Sequence, residues 1–235
     1  MVAAMDFRDR HIVVTGGAGA LGTAVVTALI EAGAICHVPC FNEAEAQRFR
    51  LREHKQVVTT VAGNLADEAN IAGLYKGISP LWASIHIAGG FAAGDLTETS
   101  AATIHQQIDM NLVSCALCCR AAVRAIAASG GRIVNVAARP ALEWRTGANM
   151  AAYTASKAGV AALTAALAEE VAEDGILVNA VAPSILDTAA NRAAMPKADY
   201  ALWPKVDEVA ATILFLASPD NRVTRGAVVP VYGKS

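Results

Sequence analysis

The chain is poor in aromatic residues and in charge. Phe, Trp and Tyr make up 5% of its 235 residues, and Asp, Glu, Lys and Arg 17%. So few rings disfavour the stacking platforms that bind single-stranded nucleic acid. The formal net charge is −2, with no basic block, so attraction to nucleic acid or to an anionic membrane has no electrostatic footing. No apolar stretch reaches membrane-spanning length without a charge, glycine or proline interrupting it. Residues 1–10 lack the basic start and apolar run of a secretory signal. The cysteines are few and odd in number: Cys36, Cys40, Cys115, Cys118 and Cys119. That count, without a secretion signal, reads as reduced thiols in a cytoplasmic protein. The run Cys115-x-x-Cys118-Cys119 lies in the apolar helical stretch 112–128, and no second cysteine or histidine pair accompanies it. Packing is its expected role, and no metal site is expected.

Apolar residues, by contrast, make up 54% of the chain, with alanine and valine abundant. That composition suits a parallel sheet buried on both faces by helices. Short β-branched runs at 11–15, 35–39, 57–61, 82–87, 132–136, 177–181 and 227–231 alternate with helical patterns at 21–32, 43–53, 68–76, 102–128, 151–173 and 206–217. Alternation of this kind predicts right-handed β-α-β crossovers and a single α/β domain over residues 1–235, a doubly wound parallel sheet of about seven strands. The long segment 183–204 shows no periodicity and is the expected substrate loop or lid, with Arg192, Met195, Tyr200 and Trp203 placed to close over a ligand.

Two local patterns carry chemistry. The first strand runs into Thr15-Gly16-Gly17-Ala18-Gly19-Ala20-Leu21-Gly22, and a helix follows. Glycines at this spacing allow a tight turn, a close approach to a pyrophosphate and close packing of the helix on the strand. The helix N-terminus then presents unpaired N–H groups and the positive end of its dipole. This is a Rossmann-type dinucleotide site for NAD or NADP. The end of the second strand reads Pro39-Cys40-Phe41-Asn42, without the acidic residue that holds ribose hydroxyls or a base for a 2′-phosphate. The missing base leans the reading slightly to NAD, with Arg48 and Arg50 expected on solvated surface. The second pattern is Tyr153 and Lys157, four apart on a predicted helix and therefore on one face. A lysine ammonium beside a phenol favours the phenolate and draws its pKa from about 10 toward neutrality. Such a phenol can give or take a proton at a reacting oxygen.

Together with Ala88-Gly89 after the fourth strand, Asn111, and Val178-Asn179-Ala180-Val181-Ala182-Pro183 followed by Thr188, these motifs resemble the short-chain dehydrogenase/reductase family over nearly the full length. The resemblance implies Tyr153 as proton donor or base, Lys157 as the cation that tunes it and holds the nicotinamide ribose, and Asn111 holding a water that passes protons to Lys157. It implies cofactor contacts from Gly16, Gly17, Gly19, Ala20, Leu21, Gly22, Asn64, Leu65, Ala88, Gly89, Tyr153, Lys157, Pro183, Leu186 and Thr188. A small-molecule substrate and a homo-oligomer, dimer or tetramer, built through the long helices, are also implied. The chain departs from the pattern at His86-Ile87 and Ser184, at Asn64 in place of an aspartate, and at Ala138, where the family carries a catalytic serine. Thr146 and Ser184 are the nearest hydroxyl candidates to replace it. His86, with no obvious partner, reads as a buried structural histidine. Ala88-Gly89-Gly90, Ala141-Leu142, Leu186-Asp187-Thr188 and Asn191-Arg192 look like the dihydropteridine reductase branch, which works with tyrosine and lysine but without the serine. The expected activity is hydride transfer between a nicotinamide and a small carbonyl, alcohol or quinonoid compound. The alternatives are a dihydropteridine reductase proper and a non-catalytic dinucleotide-binding sensor or scaffold.

Overall fold

A computed structural model describes residues 5–126 and 130–235. β-Branched and apolar residues form seven strands: β1 (His11–Thr15), β2 (Ile35–Cys40), β3 (Val57–Val61), β4 (Leu81–His86), β5 (Gly131–Val136), β6 (Ile176–Pro183) and β7 (Val228–Val231). They pair in one parallel sheet of order β3-β2-β1-β4-β5-β6-β7. The expected doubly wound architecture is therefore present, with strand ends within a few residues of those expected.

Successive side chains of a strand point to opposite faces, and this alternation splits the core in two. Ile12, Val14, Ile85 and Val134 pack with helices α1 (Ala20–Glu31) and α8 (Val206–Ala217) on one face. Val13, Leu81, Ile133 and Val178 pack with α3 (Glu68–Leu74), α5 (Ser114–Ile126) and α6 (Ala151–Glu170) on the other. Fully burying such a side chain contributes about 1.5–3 kcal/mol. Exposed ion pairs such as Arg120–Glu68 and Arg225–Glu169 contribute about 0–1 kcal/mol. The two apolar layers hold the frame.

Three elements differ from the sequence expectation. The helix expected at 43–53 is α2 (Glu43–Arg48), capped by the Asn42 side chain. It stops where Phe49 turns into the core, 2% exposed with extended ψ. The helix expected at 102–128 is broken: α4 (Ala101–Ile108) widens into a π-turn at Asp109–Val113 before α5 begins. There the Ser114 N–H reaches back five residues to the Asp109 carbonyl. The expected end at 127–128 lies outside the described residues. The segment 183–204 is not irregular. It holds α7 (Ala189–Ala194) and a 3₁₀ turn at Tyr200–Leu202.

The chain returns from β3, at one edge, to β4 beside β1, so the winding direction reverses between β1 and β4. In open α/β sheets the strand carboxyl ends diverge at such a switch point and leave a crevice.

Candidate active site

The crevice is a cleft of about 380 Å³ at this switch point. Its floor is the turn from β1 into α1. Gly16 has φ +67°, and a Cβ there would stand 2.6 Å from the Ala88 nitrogen. A Cβ on Gly22 would fall 2.1 Å from the Gly16 carbonyl oxygen. Only glycine lets β1, β4 and α1 approach this closely. The amino end of α1 opens into the cleft through Gly19, Ala20 and Leu21, giving an anion seat made of main chain. Thr15 Oγ1 accepts from the Ala88 N–H at 3.3 Å and ties the second wall to the first.

Of the expected cofactor contacts, Gly16, Gly19, Ala20, Leu21, Gly22, Asn64, Leu65, Ala88 and Gly89 line this cleft. Gly17 lies behind the wall, where a Cβ would meet Val38 at 2.8 Å. Sequence reasoning missed Glu45, which lines the cleft at the end of β2. Its carboxylate accepts from the Phe41 N–H at 2.5 Å, while its own N–H donates to the Asn42 side chain at 2.9 Å. Burial first, then the charges of Glu45 and Glu43, push the Cys40 thiol up to about 11. The strand end therefore carries negative field although no acid stands on the strand itself. Arg48 and Arg50 are exposed, as expected.

Tyr153 and Lys157 sit in the first two turns of α6 and, like Pro183, Leu186 and Thr188, are not among the residues that line the cleft. Lys157 is 6% exposed, and its Nζ donates to the Val136 carbonyl oxygen at 2.8 Å. A Cβ on Gly89 would stand 3.4 Å from that Nζ, so the ammonium lies against the cleft wall. Burial draws the Lys157 pKa down to about 8, against an upward pull from Cys115. The expectation that the lysine lowers the tyrosine is not met in this geometry. Burial pushes the Tyr153 phenol up to about 12. Phe91 sets its ring edge against Tyr153 at 5.0 Å between centroids.

Asn111 sits in the π-turn. Its Oδ1 accepts from the Gly90 N–H, and its Nδ2 donates to the Gly90 and Gln107 carbonyl oxygens, each at 3.0 Å. The side chain thus clamps the loop after β4 to the widened helix. Ala138 is buried, just past β5. Neither hydroxyl candidate is free to replace a serine there: Thr146 donates to the Glu143 carbonyl, and Ser184 donates to the Tyr232 carbonyl. Pro183 ends β6. The Leu186 carbonyl accepts from the Asn191 amide, and Thr188 caps α7 through the Asn191 N–H. Trp203 is buried, with its ring tilted against Tyr200 at 5.0 Å between centroids. Arg192 pairs with Asp187 at 2.6 Å.

His86 is buried, as expected, but it has partners. Ser84 Oγ lies 2.8 Å from Nε2 and Asn135 Oδ1 2.8 Å from Nδ1. The Cys119 sulfur is 3.5 Å from Nδ1. The fold therefore supplies the histidine that the sequence around the cysteine run lacked.

A family model described as short chain dehydrogenase matches residues 10–199. The chain belongs to this family. It is accordingly an oxidoreductase that depends on a nicotinamide dinucleotide, and the glycine cradle and helix terminus fit such a group. The chain is 36% identical to galactitol 2-dehydrogenase of Rhizobium johnstonii, over 94% of this chain and 93% of the relative. It is 34% identical to cis-4-hydroxycyclohexanecarboxylate dehydrogenase of Sinomonas cyclohexanicum, over 97% and 96%. The crystal structure of gox2181 superposes with a TM-score of 0.90 at 29% identity, covering 97% of this chain and 96% of that one. Among the described residues no helix is long and apolar enough to cross a membrane.

Proposed function

We propose that the protein moves hydride between NAD(H) and a small alcohol or carbonyl compound, with Tyr153 handling the proton. The carrying observation is the Lys157 ammonium, buried in α6 against Gly89 on the wall of the dinucleotide cleft. Related enzymes whose names specify a sugar alcohol and a hydroxycyclohexane acid support an alcohol or ketone as substrate. The nicotinamide supplies the hydride chemistry when bound.

The chain's own residues do the rest. The amino end of α1 and the glycine turn hold the pyrophosphate. Tyr153, protonated at neutral pH because burial raises its pKa, donates a proton to the oxygen of a carbonyl being reduced. In the oxidative direction it accepts one, and Lys157, charged below about pH 8, then stabilises the phenolate. Asn111 positions both by fixing the Gly89–Gly90 loop to the π-turn. The Phe91 ring makes the side next to the phenol apolar. With alanine at 138, one donor to the reacting oxygen is missing. Loss of a comparable donor costs about 10²–10³ in rate, so substrates with electron-poor carbonyls or quinonoid rings are favoured. Glu45 supports NAD over NADP, because a carboxylate in the cleft lining would repel the extra phosphate of NADP.

The test is cofactor binding by NADH and NADPH fluorescence, then turnover of ketones, alcohols and quinonoid dihydropterin by wild type and Tyr153→Phe. The variant should bind cofactor as wild type does and lose about 10²–10⁴ in turnover, the range for one acid–base group. Undiminished turnover would overturn the assignment of Tyr153. Tight cofactor binding with no turnover on any substrate would favour a sensor.

A further inference from the structure

Behind the cleft, α5 lies on β4 and β5 with two thiols aimed at one imidazole. The donor atoms of His86, Cys115 and Cys119 all lie within 4.8 Å of one another, and all three residues are buried. We propose that this cluster is a binding site for one soft monovalent d¹⁰ cation, Cu(I), held three-coordinate by the two sulfurs and the His86 ring. No metal ion is needed for the oxidoreductase reading, and the site is independent of it.

The donor set carries the choice of ion. Thiolates and imidazole are soft or borderline ligands, and a pair of thiolates selects Cu(I) over hard cations. Bonds of about 2.3 Å to sulfur and 2.0 Å to nitrogen put neighbouring donors about 3.5–4 Å apart. The Cys119 sulfur already stands 3.5 Å from His86 Nδ1. Cys115 and Cys119 are four apart on α5 and so share its inward face. No acidic residue belongs to the cluster, which disfavours Mg²⁺, Ca²⁺ and Mn²⁺. Structural zinc takes four ligands in a tetrahedron. A further donor beside the cluster is the Asn135 amide oxygen, 3.5 Å from the Cys119 sulfur and already 2.8 Å from His86 Nδ1.

The surroundings allow the imidazole to turn from hydrogen-bond partner into ligand. For Nδ1 to offer its lone pair to the ion, the ring proton must sit on Nε2. Nε2 faces Ser84 Oγ at 2.8 Å, and Ser84 in turn faces Tyr75 OH at 2.9 Å. Without a metal the Asn135 amide oxygen accepts the Nδ1 proton at 2.8 Å. On binding, that proton moves to Nε2, where the Ser84 hydroxyl can accept it. The Asn135 oxygen gives up its place to the ion, leaving a histidine ligand fixed through its other nitrogen. Binding is not a redox step. Two thiol protons leave to solvent, two Cu–S bonds and one Cu–N bond form, and copper stays in the +1 state.

The test uses the whole reduced protein without oxygen. Cu(I) is presented as its bicinchoninate complex, and its transfer is followed by loss of the complex's colour. One equivalent per chain should be withdrawn, and X-ray absorption should show two sulfurs and one nitrogen around copper. Cys119→Ala and His86→Asn should each weaken binding at least 100-fold, while Cys36→Ala, on the opposite face of the sheet, should leave it unchanged. Circular dichroism of each variant identifies any that fails to fold. Cys115→Ala then serves in its place, with the same loss expected. No transfer from the competitor would overturn the proposal. So would binding that persists in Cys115→Ala and Cys119→Ala, or a site that takes Zn²⁺ and refuses Cu(I).

Discussion

At one end of the cleft Gly16, Gly19 and Gly22 make a wall from main chain. Past its Gly89 wall, the proposed second end presents the side chains of Tyr153 and Lys157 on α6 and of Asn111 in the π-turn. At Gly16 and Gly22 the first end tolerates no added atom, since a Cβ would meet amide or carbonyl atoms at 2.6 and 2.1 Å, while at Gly19 it would meet the Gly16 carbonyl oxygen at 3.3 Å. The second depends on where two side chains point. Lys157 donates to the Val136 carbonyl, and burial holds the proton on Tyr153. An end built of backbone is set by steric exclusion and is rigid. An end built of side chains is set by hydrogen bonds that a bound molecule can rearrange.

The largest effect that separates the two ends is expected from Gly22→Val. The new side chain collides with the Gly16 carbonyl, closing the anion seat without touching α6. NADH affinity should fall at least 100-fold in a fluorescence titration, about 3 kcal/mol at 1.4 kcal/mol per decade. Retained affinity would show that the turn gives more than its packing suggests.

Second in size is Ala138→Ser, which returns a hydroxyl to the end of β5. The gain should fall on unactivated ketones, up to about the 10²–10³ that one oxyanion donor is worth. Activated substrates should change little. An equal rise, or none, on both kinds of substrate would break the idea that alanine here selects electron-poor carbonyls.

The difference between the ends also explains what the sequence could reveal. Glycine spacing is a local signal, so Gly16, Gly19 and Gly22 were readable together with the strand–turn–helix around them. The alternation of apolar runs likewise foretold the parallel sheet. Tyr153 and Lys157 were readable as a pair because helix geometry fixes four-residue neighbours. Their pKa shifts were not, because burial by residues of other elements sets them. Glu45 was hidden for a related reason. It reaches the cleft from α2, five residues past Cys40 at the end of β2. His86 seemed unpartnered because Tyr75, Asn135 and Cys119 meet it only across the sheet and helices, although Ser84 stands two residues before it on the same strand. The π-turn left no mark, since its residues suit an ordinary helix and Asn111 meets Gly90 only in the fold.

A smaller effect is expected at Glu45. Glu45→Gln removes the carboxylate from the adenosine side of the cleft and leaves the loop's hydrogen bond from Phe41 possible. Partly exposed charges interact by up to about 1 kcal/mol, so the NADPH-to-NADH ratio in kcat/KM should rise by up to about fivefold. A ratio that stays fixed would move the discrimination to another residue.

The smallest effect concerns the strands beneath the backbone-built end. His11 and His37 stack across β1 and β2, with ring nitrogens 2.9 Å apart. Burial first, then the neighbouring His11, draws His37 down to about 4 from an ordinary 6.5. The folded state thus favours the neutral ring, and the unfolded chain binds a proton more readily. The sign follows from linkage: stability is complete above pH 6.5 and declines as pH falls from there toward 4. The pair is only partly buried, so solvent screening limits the loss to about 1 kcal/mol or less. His37→Gln should flatten this part of the pH–stability curve. Amide exchange gives the sharper reading. Between pH 7.5 and pH 5, after correction for the intrinsic exchange rate, protection should fall in β1 and β2 and hold in β5 and β6. A uniform loss across the sheet would place the acid-sensitive group elsewhere, and the two ends of the cleft would then share one frame.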